Sequence, residues 1–237
     1  MKNNSALRDV SIKRNVLLYP EGSCLIEVGN TKVLITATIE EKVPPFLEGK
    51  LEGWVTAEYS MLPRDNKHRT LRGFTKGKLD GRSAEIKRLI GRSLRAIVNR
   101  KALGPRTIIL DCVMFYKGDG GTLCASITGA FVALYDACEY LLEKEMIDEM
   151  PLNGFLAAVS VGKSKDDYIL DLCYEEDVSA IVDLNLVMKD DGELIEIQGT
   201  GEGGTFSRNE LGQFLDLGEQ GIKILIEKQK AALGVAE

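Results

Sequence analysis

Arg106–Phe115 (RTIILDCVMF) is followed by Tyr116-Lys117-Gly118-Asp119-Gly120-Gly121-Thr122 and then by a helical pattern from Ala125 to Met146. The first run is largely apolar, which predicts a strand interior to a sheet. In the pattern after it, Ile127, Ala130, Phe131, Leu134, Cys138, Leu141 and Leu142 fall on one side, which predicts a helix packed on that sheet. An interior strand turned through glycines into a packed helix requires layers of both element types. The expected class is therefore α/β. The turn is also a geometry in which successive backbone amides cradle a phosphate. GDGGT lacks the Lys-Ser/Thr of a Walker A loop, and a plain strand–helix turn is the commoner occurrence of such glycines.

The rest of the chain fits that class. Ser23–Val28 and Lys32–Ile39 are β-branched runs joined at Gly29-Asn30, a hairpin signal. Pro44-Pro45 interrupts the loop from Glu40 to Lys50. Between Arg82 and Ala102, Ile86, Leu89, Ile90, Leu94, Ile97 and Val98 form one apolar stripe, which predicts a single helix. Gly81, Ser83 and Glu85 mark its start, so Arg82 sits where unpaired N–H groups favour an anion. FLAAVSVG, YILDLCY, AIVDLNLVM and ELIEIQG read as four strands at hairpin spacing, the last two joined at Asp190-Asp191-Gly192. After the glycine-rich loop Gly199–Thr205, Ser207 to Glu210 matches a capping box opening a helix from Asn209 to Leu233. With no linker or repeat, we expect one α/β (α+β) domain over residues 1–237, a mixed sheet packed with helices.

Charge is unevenly placed. The chain carries a formal net charge of −6, yet Arg64 to Arg106 holds 14 Lys/Arg against 3 Asp/Glu, leaving 16 against 33 elsewhere. Such a concentration implies a polyanion site; a solvated, salt-bridged helix face is the alternative. There is a single histidine, His68, so a His-rich zinc site is excluded and proton transfer falls to carboxylates. Five scattered cysteines without CxxC spacing read as reduced thiols. No apolar run approaches the ~20 residues that span a bilayer, and MKNNSALRDV has no apolar signal region. A cytoplasmic protein with no membrane partner is expected.

Asp171, Glu175, Glu176, Asp177 and Asp183 gather around the expected hairpin between YILDLCY and AIVDLNL. Asp177 ends one strand region and Asp183 interrupts the apolar run Ile181-Val182-Asp183-Leu184. Burying an unpaired carboxylate costs several kcal/mol, on the order of the whole margin of a weak fold. Two such groups together suit Mg²⁺, which takes oxygen ligands and keeps waters. A turn acid plus an edge-strand acid facing water is the alternative.

EGSCLIEVGNTKVLITATIEEKVPPFL, GWVTAEYSMLPR, GRSAEIKRLIGRSLRA, DGGT–ASITGA and IEIQGTGEG lie collinear over most of the chain. In these segments the chain resembles the ribonuclease PH family of bacterial phosphorolytic exoribonucleases. The resemblance implies a ribonuclease PH fold of βαβα units, similar to the second domain of ribosomal protein S5. It implies a homohexameric ring, a trimer of dimers. The implied activity is 3′→5′ removal of nucleotides from RNA, notably the 3′ ends of tRNA precursors and also rRNA, with inorganic phosphate as co-substrate, Mg²⁺ as cofactor and nucleoside diphosphates as products. Residue by residue, it implies phosphate binding at Arg82, Gly121 and Thr122, with Leu123 at the next position of that segment. Metal binding and acid catalysis fall to Asp177 and Asp183, and RNA or subunit contacts to Arg64, Arg69 and Arg72.

Three departures stand out. The family reads GGTR where this chain reads Gly120-Gly121-Thr122-Leu123, so a guanidinium is lost; the stretch Cys112–Gly121 is one residue longer; and Met1-Lys2-Asn3-Asn4-Ser5 replaces an RPDGR-like start. A non-catalytic RNA-binding or ring-scaffold protein is therefore the alternative to the enzyme. A weaker one is an enzyme for another phosphate-bearing substrate.

Overall fold

A computed structural model describes residues 3–65, 68–69, 81–116, 118–165 and 167–235. The elements run β1 (Val10–Arg14), β2 (Gly22–Val28), β3 (Thr31–Glu40), β4 (Trp54–Met61), α1 (Gly81–Arg95), α2 (Arg100–Leu103), β5 (Thr107–Tyr116) and α3 (Thr122–Glu143). They continue with β6 (Leu156–Lys163), β7 (Tyr168–Leu170), α4 (Tyr174–Ser179), β8 (Val182–Lys189), β9 (Leu194–Thr200) and α5 (Arg208–Leu233). A five-stranded sheet has the order β1-β2-β3-β5-β4 and a four-stranded sheet the order β7-β6-β8-β9. β4 runs parallel to β5 and every other pair is antiparallel, so the mixed α/β expectation holds.

Side-chain alternation explains the layering. On the five-stranded sheet, Cys24, Ile26, Val33, Ile35, Leu110 and Cys112 point one way into a core shared with Ile127, Phe131 and Leu134 of α3. β6 is buried on both faces. Leu156 and Ala158 join the α3 core, while Ala157, Val159 and Val161 join a second core with Phe214, Ile222 and Leu225 of α5. α3 is thus packed between the sheets and α5 covers the far face of the second. Ser207 and Glu210 form the expected capping box at the start of α5.

Several elements differ from expectation. The stripe from Ile86 to Val98 is buried, but α1 stops at Arg95. Asn99 accepts bonds from the Lys101 and Ala102 N–H groups at 3.2 Å and starts the separate α2, while its own N–H reaches the Pro151 carbonyl at 2.8 Å. A short cap and a β-bridge from Val98 to Leu152 therefore outcompete helix continuation. YILDLCY is a strand only to Leu170, because Asp171 takes a φ of 55° and turns the chain into α4. β7 and β8 are not a hairpin: both pair with β6, one on each side. α3 begins at Thr122 rather than Ala125, so the glycine turn leads straight into its first turn. β1 and β4 are strands in addition to those the sequence pattern predicts.

The layers approach closely at Gly22, where an added Cβ would lie 2.0 Å from the Ala133 carbonyl oxygen of α3. Because that neighbour is backbone, Gly22→Ala should cost about 1–3 kcal/mol, read as a lowered urea midpoint with an unchanged slope.

Candidate active site

Along β8, Val182, Leu184 and Leu186 face the α5 core, and Asp183 and Asn185 take the other face. Register puts Gly162 and Thr200 beside Asp183, and Ser160 and Gln198 beside Asn185. Ser160, Asp183, Asn185, Gln198 and Thr200 floor a cavity of about 460 Å³ walled by the N-terminal turns of α1 and α3 and by α4. The floor is itself anchored: Asn185 Oδ1 accepts from Cys124 Sγ at 3.2 Å, and Gln198 Nε2 donates to Glu85 Oε1 at 2.9 Å.

The start of α3, which meets the cavity, is poor by ordinary rules. α3 is preceded by Gly121 at φ 68°, has no side-chain cap and has no acidic residue in its first turn. Its first helical bond runs from the Ala125 N–H to the Gly121 carbonyl at 3.1 Å, so the amides of Thr122, Leu123 and Cys124 have no helical acceptor. α1 also lacks an acid in its first turn and places Arg82 there, a cation at the pole that favours anions. α4 and α5, by contrast, have capping boxes and acidic first turns. An uncapped N-terminus and a guanidinium around one cavity favour a bound anion. Beneath them lies buried Tyr59, whose phenol is pushed up by burial while its bond to Thr122 and the charge of Arg82 oppose the shift.

Asp177 lies on α4 rather than at a strand end, and it lines the cavity with Asp183. Burial, then the charges of Asp177 and Glu202, push the Asp183 carboxyl above its ordinary value of 3.8. Among the described residues the lining sets Arg82 against Glu85, Asp177, Asp183 and Glu202. A hard divalent cation fits this donor set, because it relieves the repulsion at Asp183. No group of three or more potential metal ligands occurs among the described residues.

The cavity gathers Arg82, Gly121, Thr122, Leu123, Asp177 and Asp183. Arg64 and Arg69 are exposed and are not part of its lining, and Arg72 lies outside the described residues. The cations of α1 and α2 mostly serve other partners. Lys87 bonds Glu58, Arg92 bonds Glu196 bidentately, Arg95 stacks on Trp54 at 4.3 Å, and Arg100 pairs with Glu52. Asp171, grouped by sequence with the cavity acids, is instead buried and paired with Arg8. Sequence reading missed Ser160, Asn185, Gln198, Thr200 and Glu202; alternation within β8 hinted at Asn185, and the others needed the register.

A raised carboxylate pKa means the folded state binds the proton more tightly than the unfolded chain, so stability is lost as pH rises from about 3.8 through the higher folded value. Asp183→Asn should therefore melt at a higher temperature than the natural chain at neutral pH, with the gain vanishing below the ordinary carboxylate range. Thermal melts across pH check this.

Family models match in order: 3′ exoribonuclease family domain 1 over residues 6–138 and domain 2 over residues 154–221. The chain is 54% identical over 234 residues to Ribonuclease PH of Bacillus mycoides (strain KBAB4), covering 98% of this chain and 95% of that one. It is 53% identical over the same length to Ribonuclease PH of Bacillus cereus (strain AH187). The fold matches rice (Oryza sativa) Rrp46 with a TM-score of 0.79 at 19% identity, covering 98% of each chain. It matches an Archaeoglobus fulgidus exosome chain, from a structure with RNA bound to the active site, with a TM-score of 0.79 at 21% identity, covering 96% of this chain and 90% of that one. These matches place the chain in the ribonuclease PH family of 3′ exoribonucleases.

Proposed function

We propose that the chain is a phosphorolytic 3′→5′ exoribonuclease, a tRNA nucleotidyltransferase that trims the 3′ ends of tRNA precursors and other RNA. Inorganic phosphate attacks the terminal phosphodiester, the bond to the 3′ oxygen breaks, and a nucleoside diphosphate leaves. The observation carrying this reading is that an uncapped helix start, Arg82, Asp177 and Asp183 line one cavity. Two anions must be held together there. The amides of Thr122 and Leu123 with Arg82 suit the attacking phosphate, and fixed donors of this kind stabilise developing charge without reorganisation. Asp183, on the cavity floor, is placed to serve proton transfer to the departing 3′ oxygen. Asp177 and Asp183 would hold Mg²⁺, which supplies charge neutralisation at the scissile phosphate.

Leu123 keeps its backbone N–H in this scheme and packs its side chain partly into the α3 core. The scaffold alternative requires the other anion-binding features to be idle, which nothing in the cavity favours. Arg64, Arg69 and Arg72 are read as RNA or subunit contacts. The two matched segments are read as halves of one unit, because α3 touches both β2 and β6 and α5 touches both β6 and β1. We also propose a homohexameric ring, consistent with Leu18 and Tyr19 being 86% and 91% exposed in the single chain. Sedimentation at the 26.1 kDa mass of one chain would count against it. No helix among the described residues is long and apolar enough to cross a membrane, and the free cysteines accord with a cytoplasmic setting.

Supplied with tRNA bearing an extended 3′ end, Mg²⁺ and phosphate, the protein should release nucleoside diphosphates, and Asp183→Ala should abolish the release. Monophosphates alone, or no product at any phosphate level, would sink the proposal. Leu123→Arg should lower the phosphate concentration for half-maximal rate by about ten- to a hundred-fold, the worth of one charged hydrogen bond.

A further inference from the structure

Behind the Gly118–Gly121 turn lies an ion pair that the chemistry above does not use. Arg8 and Asp171 have side chains only 8% and 7% exposed. Asp171 Oδ1 accepts from Arg8 Nη2 at 2.6 Å, and Oδ2 accepts from Nε at 2.9 Å and from the Arg8 backbone N–H at 2.8 Å. Asp171 is also held in the left-handed region, at φ 55°, which non-glycine residues seldom adopt. The guanidinium's remaining edge faces the turn. Nη1 donates to the Gly120 carbonyl at 3.4 Å, and Nη2 lies 2.5 Å from where a Cβ on Gly121 would sit.

Other bonds complete the clamp. Thr31 Oγ1 donates to the same Gly120 carbonyl at 2.7 Å, and Asn30 donates to the Asp119 carboxylate through its backbone N–H at 2.9 Å and its side-chain amide at 3.1 Å. The Tyr174 N–H, at the start of α4, donates to the Asp119 carbonyl at 2.5 Å. The turn that opens α3 is therefore tied to the segment that opens α4, the helix carrying Asp177.

A pair buried this completely is weak support for stability alone, since apolar residues of similar volume usually pack as well. What a planar guanidinium adds is direction, one edge fixed on a carboxylate and the other on a backbone carbonyl. We propose that Arg8 and Asp171 are positioning residues: they set the Gly121–Leu123 amides relative to Asp177 and so determine phosphate affinity without touching substrate. Neither residue lines the cavity. The proposal rests on the reading of this turn as the phosphate site.

The test is steady-state phosphorolysis on the full chain with phosphate and RNA varied separately. Arg8→Lys keeps the charge opposite Asp171 and loses the planar grip. It should raise KM for phosphate by about ten- to a hundred-fold, as a misplacement of reacting groups does, with KM for RNA within about twofold of the natural value. Thr31→Val, which leaves the ion pair intact, should raise the same constant by less. The apolar double variant Arg8→Met with Asp171→Leu should still melt cooperatively, at a temperature lowered by leucine at φ 55° and by the Arg8 N–H left without its acceptor, and should still show the raised phosphate KM. An unchanged phosphate KM in folded Arg8→Lys overturns the proposal, as does a folded apolar variant with the natural phosphate KM. If Arg8→Lys does not fold, Thr31→Val and the apolar variant decide by the same criteria. If the natural chain yields no nucleoside diphosphate, the phosphorolytic reading fails separately. Thermal stabilisation by inorganic phosphate then decides: a response in the natural chain that Arg8→Lys lacks supports positioning, and equal responses, or none in either, overturn it.

Discussion

Burial of α3 on two sides is the interaction on which the cavity depends. From Thr122 to Tyr135 the helix has no charged residue, because one flank packs on β2, β3 and β5 and another on β6. Each large side chain buried there contributes about 1.5–3 kcal/mol relative to exposure, which outweighs the cost of a missing cap at its first residue. The helix can therefore start without a side-chain partner and leave its first amides facing open space. A surface helix held only by its own hydrogen bonds would fray at such an end.

The second sheet solves the complementary problem. β8 must present a carboxylate to the cavity while remaining a central strand, and a period of two lets it do both. Leu184 faces α5, Asp183 faces the cavity, and β6 and β9 pair with it along the full polar floor. Burial, and then the repulsion of Asp177 and Glu202 brought near it, raise the Asp183 pKa. Positive charge is needed to settle that repulsion, from arginine, metal or both.

Much of this was legible in the residues. The Ile86–Leu94 stripe, the Ser207–Glu210 box, the Gly29-Asn30 hairpin and Asp183 within an apolar run each carry a local physical signal. What could not be read locally depended on register or competition. α4 is short and acid-rich with no apolar stripe; its start is set by the Cys173–Glu176 cap and by Asp171's backbone. Strand order placed Ser160, Gln198 and Thr200 beside the aspartates, and no spacing within a single segment encodes that. Arg8 was invisible for the same reason, since its partners lie 112 and 163 residues away.

The bonds between α1 and β9 show what such distances mean for a chain made from one end. Glu85 meets Gln198 across 113 residues of sequence, and Arg92 meets Glu196 across 104. Neither contact forms until the final strand is available, and contacts of that span arise late because long loops must close first. A partly synthesised or truncated chain therefore has Arg82 and the glycine turn but no floor between them. Whatever the cavity does to RNA, it does only once the molecule is whole.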